Sequence, residues 1–398
     1  MPSESDTDHL AGKVVRLGPN TLSFDSATAM SDIYGVRANV RKADSYCAMG
    51  ASRRSPTILT AIDKGLHGFK RRIMAQVFSE QSLKQIENRV LDNVTNFVSL
   101  LSTDADTNSG GTAPKNVADA STWLTFDIIA DRCYGENINL LQSENMRWFS
   151  SAFRKISQRS MMNMMQPKLC QFKLDHIFLS SQYKDIRRAG SWIRERGEAR
   201  ARLGNDIVKK DIFSAMLNAT HPKTGRSFTE KDLWVGSKLL LVAGSDTTSD
   251  ALSATIYYLL YHQNSLARLT RELRTTFATE DSIRLDTASP TTSPYLHACI
   301  NEALRLPPSV PNGPPRTVLP GRIPVDGDFI PEGTVIGTSI YTLHRNAAFF
   351  DQPDTFRPER WLDPSSPEQG SQLQLQLQLQ RIPSSSSAAS TTKQTQSV

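Results

Sequence analysis

Apolar residues along this chain follow helical spacing over several long segments. Between 63 and 101, large apolar side chains recur every three to four positions, which predicts a largely helical stretch. The same spacing predicts a helix over 117–134 that ends at Gly135, further helices within 144–202, and a helix over 294–306. We therefore expect most of the chain to be helical.

The most apolar helix is predicted over 229–262, and it is unusually long for a globular protein. Gly244 lies near its middle, where a glycine costs about 1 kcal/mol of helix stability relative to alanine. A glycine in such a position usually marks a kink or a close approach to something bound. We therefore expect one of these two features at Gly244.

Short segments with strand-like patterns predict small β-sheets. Residues 14–24 are predicted to form two strands around a Gly18-Pro19-Asn20 turn. Further strands are predicted over 323–325 and 334–338, where Pro and Gly recur every few residues. Helices and strands together predict a mainly α fold with small β-sheets.

The two ends of the chain differ in composition from the rest. Residues 1–12 are polar, and 363–398 are of low complexity, with a Leu/Gln alternation followed by a run of serines. The alternation could pair as an aggregation-prone β-strand. However, it offers too little apolar surface for a core, which favours disorder. We predict a disordered N-terminus over 1–12, one folded domain over 13–362 and a disordered tail over 363–398.

Composition and charge narrow the classes of function. The 398 residues are 38% hydrophobic and 22% charged, which is typical of a folded protein. The formal net charge of +6 is small for this length, and Lys and Arg are scattered, so no nucleic-acid partner is predicted. Scattered solvated charge is the simpler interpretation, and a basic face that docks an acidic protein partner is the alternative.

The cysteines and the apolar segments set further limits. None of the four cysteines (Cys47, Cys133, Cys170 and Cys299) belongs to a Cys-x-x-Cys pair or pairs with His at metal-ligand spacing, so neither a metal site nor a disulfide framework is predicted. This favours a reducing compartment. The sequence shows no signal peptide and no run of about 18 apolar residues, so the chain as written is predicted to be cytoplasmic, without a membrane span.

One segment of the long predicted helix, VAGSDTTS over 242–249, combines an acid with hydroxyl side chains. A threonine inside a helix is commonly bonded back to the carbonyl one turn earlier, which is the structural interpretation. In the functional interpretation, Gly244 lets a flat ligand approach the backbone, and Asp246 and Thr247 relay protons to a bound oxygen species. The segment alone leaves both interpretations open.

Two further segments place charged residues on a helix and in a loop. Glu302 and Arg305 are three positions apart on one predicted helix, so they share a face and can pair, although such pairs are common on exposed helices. The segment FRPERW over 356–361 contributes Arg360 and a tryptophan. A surface loop anchored by this tryptophan is its simplest interpretation.

These three segments, in this order and spacing, resemble the cytochrome P450 family. VAGSDTTS resembles the family's oxygen-activating central helix, NEALRLPPSVP its Glu-x-x-Arg helix, and FRPERW the segment whose Arg completes an ion triad. The stretches VVRLGPNTLSFDSATAMSDIYG and WLTFDIIADRCYG are similar to fungal members. The resemblance extends over about 14–362 and implies a cytochrome P450 fold.

The resemblance implies roles for residues near an oxygen pocket and a haem. Asp246 and Thr247 would deliver protons for dioxygen cleavage, and Gly244 would open the oxygen pocket. HGFKR over 67–71 resembles the helix whose aromatic or His residue and Arg contact a haem propionate, so His67 and Arg71 are candidate cofactor contacts. Plain surface residues are the alternative for this pair.

The resemblance also implies one more haem contact and an ion triad. Arg316, in NGPPRTV, stands where the family often places a second propionate contact. Glu302, Arg305 and Arg360 would form a buried charged network that holds the haem-binding core. Breaking a buried ion pair typically costs about 3–5 kcal/mol because the remaining partner is left uncompensated, so the triad is expected to be structural rather than catalytic.

The chain departs from the family at the haem ligand. Family members bind haem iron through a cysteine thiolate in an FxxGxRxCxG loop after the FRPERW-like segment, and no cysteine follows Cys299 here. The expected fold therefore lacks the C-terminal haem-ligand loop and the last helix, and the family's N-terminal membrane anchor is also missing. A truncated gene, an altered reading frame or a retained intron would each explain this, and the chain as written is expected to be inactive.

The family resemblance carries the predicted function. An intact member is a haem-dependent monooxygenase, usually anchored in the endoplasmic reticulum membrane, with electrons from an NADPH-dependent flavoprotein reductase. This implies oxidation of a small apolar organic substrate, such as an aromatic compound or a fungal secondary metabolite. One alternative is a non-catalytic degenerate pseudoenzyme or ligand-binding remnant, which the missing cysteine favours. The other is an unrelated helical interaction protein whose motifs match by chance.

Overall fold

A computed structural model of the protein is mostly helical with small β-sheets, so the predicted fold class is confirmed. The structure describes residues 12–49, 55–103, 105–106, 111–112, 114–204, 211–220, 225 and 227–362. The segments predicted to be disordered, 1–12 and 363–398, lie outside these ranges except for Gly12. Within the described residues, no helix is long and apolar enough to span a bilayer.

The described helices are α1 (Ala27–Tyr34), α2 (Tyr46–Met49), α3 (Lys64–Val77), α4 (Glu80–Lys84), α5 (Glu87–Ser102), α6 (Val117–Tyr134), α7 (Trp148–Met165), α8 (Pro167–Gln171), α9 (Asp175–Phe178), α10 (Ser180–Arg202), α11 (Ile212–Leu217), α12 (Glu230–Tyr261), α13 (Gln263–Thr276), α14 (Pro294–Arg305) and α15 (Ile340–Arg345). The described strands are β1 (Val14–Gly18), β2 (Thr21–Phe24), β3 (Val40–Lys42), β4 (Ala105–Asp106), β5 (Gly111–Thr112), β6 (Arg316–Val318), β7 (Arg322–Val325), β8 (Asp328–Pro331) and β9 (Val335–Thr338).

The largest described sheet has five strands in the order β1-β2-β9-β6-β3. β1 pairs with β2 antiparallel, β2 with β9 parallel, and β9 with β6 antiparallel. β7 and β8 form a separate hairpin whose turn residues Asp326 and Gly327 have φ of 52° and 92°. Positive φ at both positions matches the twist of the two strands. The strands predicted over 14–24, 323–325 and 334–338 are present.

The chain divides into two compact units, each with an apolar core of its own. The sheet unit comprises the described residues within Met1–Val40, Pro294–Leu306 and Pro311–Val398, and the helical unit comprises those within Arg41–Ser293 and Pro307–Val310. Buried core residues of the sheet unit include Phe24, Ile33, Val318, Val325 and Ile336. Those of the helical unit include Phe126, Phe149, Phe153, Ile193, Phe213 and Leu241.

Local capping explains where the long helices begin and end. The hydroxyl of Thr229 accepts from the N–H of Asp232 at 3.2 Å, and the Asp232 carboxylate accepts from the N–H of Thr229 at 3.1 Å. This reciprocal pair is a capping box that starts α12. α6 ends at Gly135, whose φ of 71° suits glycine and lets its N–H bond to the carbonyl of Asp131. The helices predicted over 117–134 and 229–262 are confirmed.

The helical stretch predicted over 63–101 is divided into α3, α4 and α5. The hydroxyl of Ser79 accepts a hydrogen bond from the N–H of Ser82 at 3.4 Å and so starts α4 separately from α3. α5 begins after Ile86, which has no side-chain cap. The apolar spacing continues across both interruptions, so it predicted the helices but not the breaks between them.

Candidate active site

Glu302 on α14 is fully buried at the centre of a charged cluster in the sheet unit. Arg305 donates from Nε and Nη2 to the two carboxylate oxygens of Glu302, each at 2.9 Å. Arg360 donates from Nε to Glu302 Oε1 at 3.2 Å. The backbone N–H of Arg357 and the indole N–H of Trp361 also donate to Glu302, at 2.9 and 3.0 Å. The structure therefore brings together the three residues of the predicted ion triad.

Backbone carbonyls bind the outer N–H groups of the two arginines. Arg305 and Arg360 are almost fully buried and together carry one more positive charge than Glu302 can neutralise. The carbonyls that accept from them belong to His344, Pro353 and Thr355 for Arg305 and to Asp351 and Gln352 for Arg360. Because these dipoles offset the second positive charge, the cluster ties α14 to the segment 344–361.

The pKa of Glu302 lies below its ordinary value although the carboxyl is buried. Burial by itself would raise this pKa. Hydrogen bonds from Arg305 and from the N–H of Arg357, together with the charges of Arg305 and Arg360, outweigh that effect. Glu302 is therefore ionised at neutral pH.

Thr247 on α12 is exposed, and its hydroxyl donates to the carbonyl of Ala243 at 2.8 Å. This is the back-bonded arrangement that the structural interpretation expects of a threonine inside a helix. The carbonyl of Thr247 accepts in turn from the hydroxyl of Ser309 at 3.2 Å. Since a hydroxyl that donates still has lone pairs, Thr247 can accept a hydrogen bond from a bound molecule.

Asp246 points to a neighbouring helix. The hydroxyl of Ser157 on α7 donates to Asp246 Oδ2 at 2.6 Å. Burial raises the pKa of Asp246, and the Ser157 hydrogen bond and the charge of Arg154 only partly oppose this rise. Consecutive helical residues point about 100° apart, so Asp246 faces α7 while Thr247 is exposed. Ser157 is a site residue that the sequence did not reveal, because it lies far from Asp246 along the chain.

Gly244 lies against helix α6. A Cβ atom at this position would come within 3.0 Å of Ile129 Cγ1 and 3.1 Å of Ile129 Cδ1. A side chain at this position would therefore press on Ile129. Of the two features expected of this glycine, the structure shows a close approach, to the side chain of Ile129 on α6.

His67 and Arg71 lie one turn apart on α3, which places both on the same face. His67 is half-buried and Arg71 is exposed. An imidazole beside a guanidinium fork suits a carboxylate, such as a haem propionate. Arg316 on β6, in the sheet unit, is half-buried. Its guanidinium lies 5.2 Å from the ring centre of Tyr34.

The cysteines do not present an iron ligand in the described part of the chain. Cys133 in α6 and Cys299 in α14 are fully buried, and burial raises the pKa of the Cys133 thiol. Cys47 and Cys170 are half-buried on the short helices α2 and α8. No described group of three or more His, Cys, Asp or Glu side chains could hold a metal ion. The donor set thus fits the carboxylates of a haem but not a thiolate bond to its iron.

Comparisons with known proteins agree on one family. A family model for cytochrome P450 matches residues 57–375. The cytochrome P450 monooxygenase poxM of Penicillium oxalicum is 33% identical over 352 residues, covering 88% of this chain and 68% of that protein. The trichothecene C-15 hydroxylase of Fusarium sporotrichioides is 30% identical, covering 88% and 70%. The solved haem domain of cytochrome P450DA matches with a TM-score of 0.70 at 21% identity, covering 90% of this chain and 75% of that one.

Proposed function

This chain belongs to the cytochrome P450 family, and we propose that it inserts one oxygen atom into a small apolar organic molecule. Its relatives include fungal cytochrome P450 monooxygenases, and the family depends on haem. The observation that supports the proposal is the Glu302 cluster, in which five N–H donors from four residues converge on one buried carboxylate. A chance match of motifs gives no reason for the predicted Arg305 and Arg360 to be among these donors.

In this function Asp246 and Thr247 of α12 would hold protons and deliver them to the bound oxygen. Burial makes Asp246 retain a proton more readily than an exposed aspartate does, and the hydroxyl of Ser157 is in contact with its Oδ2. The Thr247 hydroxyl would orient a bound molecule by accepting a hydrogen bond from it while donating to the carbonyl of Ala243. Haem, when bound, supplies the oxygen-activating chemistry.

The proposed haem contacts are cationic side chains. His67 and Arg71 would bind one propionate from the face they share on α3, where the exposed Arg71 presents a fork that matches a carboxylate. Arg316 would bind the second propionate. Replacing Arg71 by Lys keeps the charge but loses the fork, so binding of free haem should weaken in a titration followed by absorbance. The exposed Arg72→Lys variant is the matched control.

Electrons for the reaction would come from an NADPH-dependent flavoprotein reductase, as is usual in the family. The proposed substrate is a small organic molecule of the kind found in fungal secondary metabolism. One relative, from Fusarium sporotrichioides, is named as a trichothecene C-15 hydroxylase.

A second candidate function, a non-catalytic protein that binds a ligand or a partner, is favoured by the cysteines. The two cysteines that lie inside long helices, Cys133 and Cys299, are fully buried, and the other two are half-buried on short helices. In none of these positions does the described structure present a thiolate as an axial ligand. In this second candidate, the polypeptide as written would not form the thiolate-ligated enzyme.

The two candidates are separated by a carbon monoxide spectrum. Haem is titrated into the purified 398-residue protein, which is then reduced under carbon monoxide, with circular dichroism as a check of folding. A folded protein without the thiolate-type Soret band supports the non-catalytic candidate. A thiolate band, followed by NADPH-dependent transfer of one oxygen atom from labelled dioxygen to an apolar substrate, supports the monooxygenase.

A further inference from the structure

A cavity of about 480 Å³ lies in the helical unit beside Asp246 of α12. Its wall is formed by the start of α6, one residue of α7, the second half of α12 and the segment 307–309. The lining residues are Ala118, Thr122, Arg154, Asp246, Ser249, Asp250, Ser253, Ala254, Pro307, Pro308 and Ser309. The volume suits a small organic ligand.

Two polar side chains in this wall have no hydrogen-bond partner among the described residues. Asp246 accepts from Ser157, and Arg154 donates to Asp119 at 2.5 Å, so both are engaged outside the cavity. Asp250 and Ser253 are the two side chains of this wall without a hydrogen-bond partner among the described residues. They are three positions apart on α12 and therefore share a face of the helix.

The charges around the cavity favour a cationic occupant. Asp246 and Asp250 are four positions apart, so their carboxylates repel each other. Burial and the charge of Asp246 raise the pKa of Asp250, while Arg154 acts in the opposite direction. Arg154 is the one cation among the lining residues, and it is shared with Asp119. A positive charge beside Asp250 would relieve the repulsion.

The cation is expected to be organic rather than a metal ion. A hard cation such as Ca²⁺ or Mg²⁺ needs six or more oxygen ligands in a defined geometry, and no group of side chains that could hold a metal ion is present among the described residues. The apolar lining residues Ala118, Ala254, Pro307 and Pro308 suit a hydrocarbon body instead.

We propose that this cavity binds the protonated amine of an organic substrate, with the Asp250 carboxylate as its ionic partner and the Ser253 hydroxyl as a hydrogen-bond acceptor. As an assignment of substrate class, this rests on the proposed function. Ser309 connects the cavity to Thr247 of the proposed active site, because it lines the cavity and donates to the carbonyl of Thr247. The substrate would thus combine an apolar body with one basic nitrogen.

The test uses three probes that share an indole ring and differ in charge. Tryptamine is cationic at neutral pH, N-acetyltryptamine is neutral, and indole-3-propionate is anionic. Isothermal titration calorimetry on the purified 398-residue protein without added haem should give affinities that decrease in that order. We expect tryptamine to bind about tenfold more tightly than N-acetyltryptamine, as a charge-assisted hydrogen bond implies.

Matched variants assign the preference to one carboxylate. Asp250→Asn should remove the tenfold preference for the amine. The control Asp286→Asn removes the same charge from an exposed position outside the cavity and should preserve the preference. The proposal is overturned if tryptamine shows no binding, if the three probes bind equally, or if Asp250→Asn retains the preference. Since no haem is involved, a missing thiolate band would refute the monooxygenase without affecting this result.

Discussion

Glu302 keeps a full negative charge at a position without access to water. Removing a carboxylate from water costs several kcal/mol, and only paired and hydrogen-bonded charges offset that cost. Arg305, Arg360 and two further N–H donors supply the compensation here. Each member of the cluster therefore depends on the others, because the loss of one leaves a buried charge with too few partners.

Replacing Arg305 by Ala should lower the free energy of unfolding by about 3–5 kcal/mol, because Glu302 would stay buried with one cationic partner fewer. Urea denaturation followed by circular dichroism measures the change. The exposed Arg37→Ala variant in the same unit is the control, and we expect it to stay within about 0.5 kcal/mol of the wild type. An equally small effect of Arg305→Ala would show that the cluster does not stabilise the fold.

Lys238 on α12 has a pKa lowered to about 8 by burial, with a smaller contribution from the charge of Arg159. In the unfolded chain the pKa of this lysine returns to its ordinary value of 10.5, so between about pH 8 and pH 10.5 the unfolded state binds more protons than the folded state. The contribution of this group to stability is therefore least favourable below about pH 8 and becomes more favourable toward pH 10.5.

Lys238→Met should remove this pH dependence. At pH 7 the variant should be more stable than the wild type by about 1–3 kcal/mol, and the difference should shrink as the pH approaches about 10. Urea denaturation at both pH values tests this, with the exposed Lys231→Met variant of the same helix as control. A stability difference that stays constant with pH would mean that Lys238 titrates normally.

Local spacing at the site predicted contacts between residues close in sequence, whereas the distant contact of Glu302 with Arg360 was predicted only from the family resemblance. Glu302 and Arg305 are three positions apart on one helix, so periodicity alone allowed their pairing. The contact of Asp246 with Ser157 spans 89 positions, and that of Glu302 with Trp361 spans 59. Such contacts depend on how helices pack, which the local pattern of apolar residues does not specify.

α12 packs against α6 at Gly244. A Cβ atom there would lie 3.0 Å from Cγ1 of Ile129. By contrast, a Cβ at Gly190 on α10 would meet nothing within 4 Å. Both residues lie inside helices, where glycine lowers stability by about 1 kcal/mol relative to alanine. The two positions therefore separate the effect of helix propensity from the effect of packing.

Gly190→Ala should stabilise the protein by up to about 1 kcal/mol, whereas Gly244→Ala should gain less or lose stability, because Ile129 must move. The comparison is made by thermal or urea denaturation. Introducing Gly244→Ala into an Ile129→Ala background should restore the gain, since the opposing side chain is gone. Equal gains from both glycine substitutions in the wild-type background would contradict the close approach of α6.

Apolar spacing predicted the helices with strong periodicity and missed features controlled by single residues. It predicted α6 and α12 almost to their ends, because a glycine and a capping box mark their boundaries. It did not predict α13, although Leu266, Leu269 and Leu273 recur at helical spacing. This helix follows α12 after a single residue, His262, and no Gly or Pro separates the two. The sequence therefore lacks a local signal for the boundary between the two helices.

At the scale of the whole molecule, the two units bury separate apolar cores. The core of the sheet unit is built from strands and α1, around Phe24 and Ile33. The core of the helical unit contains tightly packed rings, with 4.6 Å between the ring centres of Phe126 and Phe153. Since a unit with its own core can open without exposing the other core, stability need not be uniform across the chain.

Glu302→Gln should therefore affect the two units differently. It leaves Arg305 and Arg360 buried without a neutralising carboxylate, so the sheet unit should open more often. In hydrogen exchange followed by mass spectrometry, amides of α14 and of 311–362 should exchange faster than in the wild type, while those of α6 and α7 should keep their rates. Arg37→Ala should leave both sets unchanged. Equal acceleration in α14, α6 and α7 would mean that the protein unfolds as one cooperative unit, with the Glu302 cluster stabilising all of it.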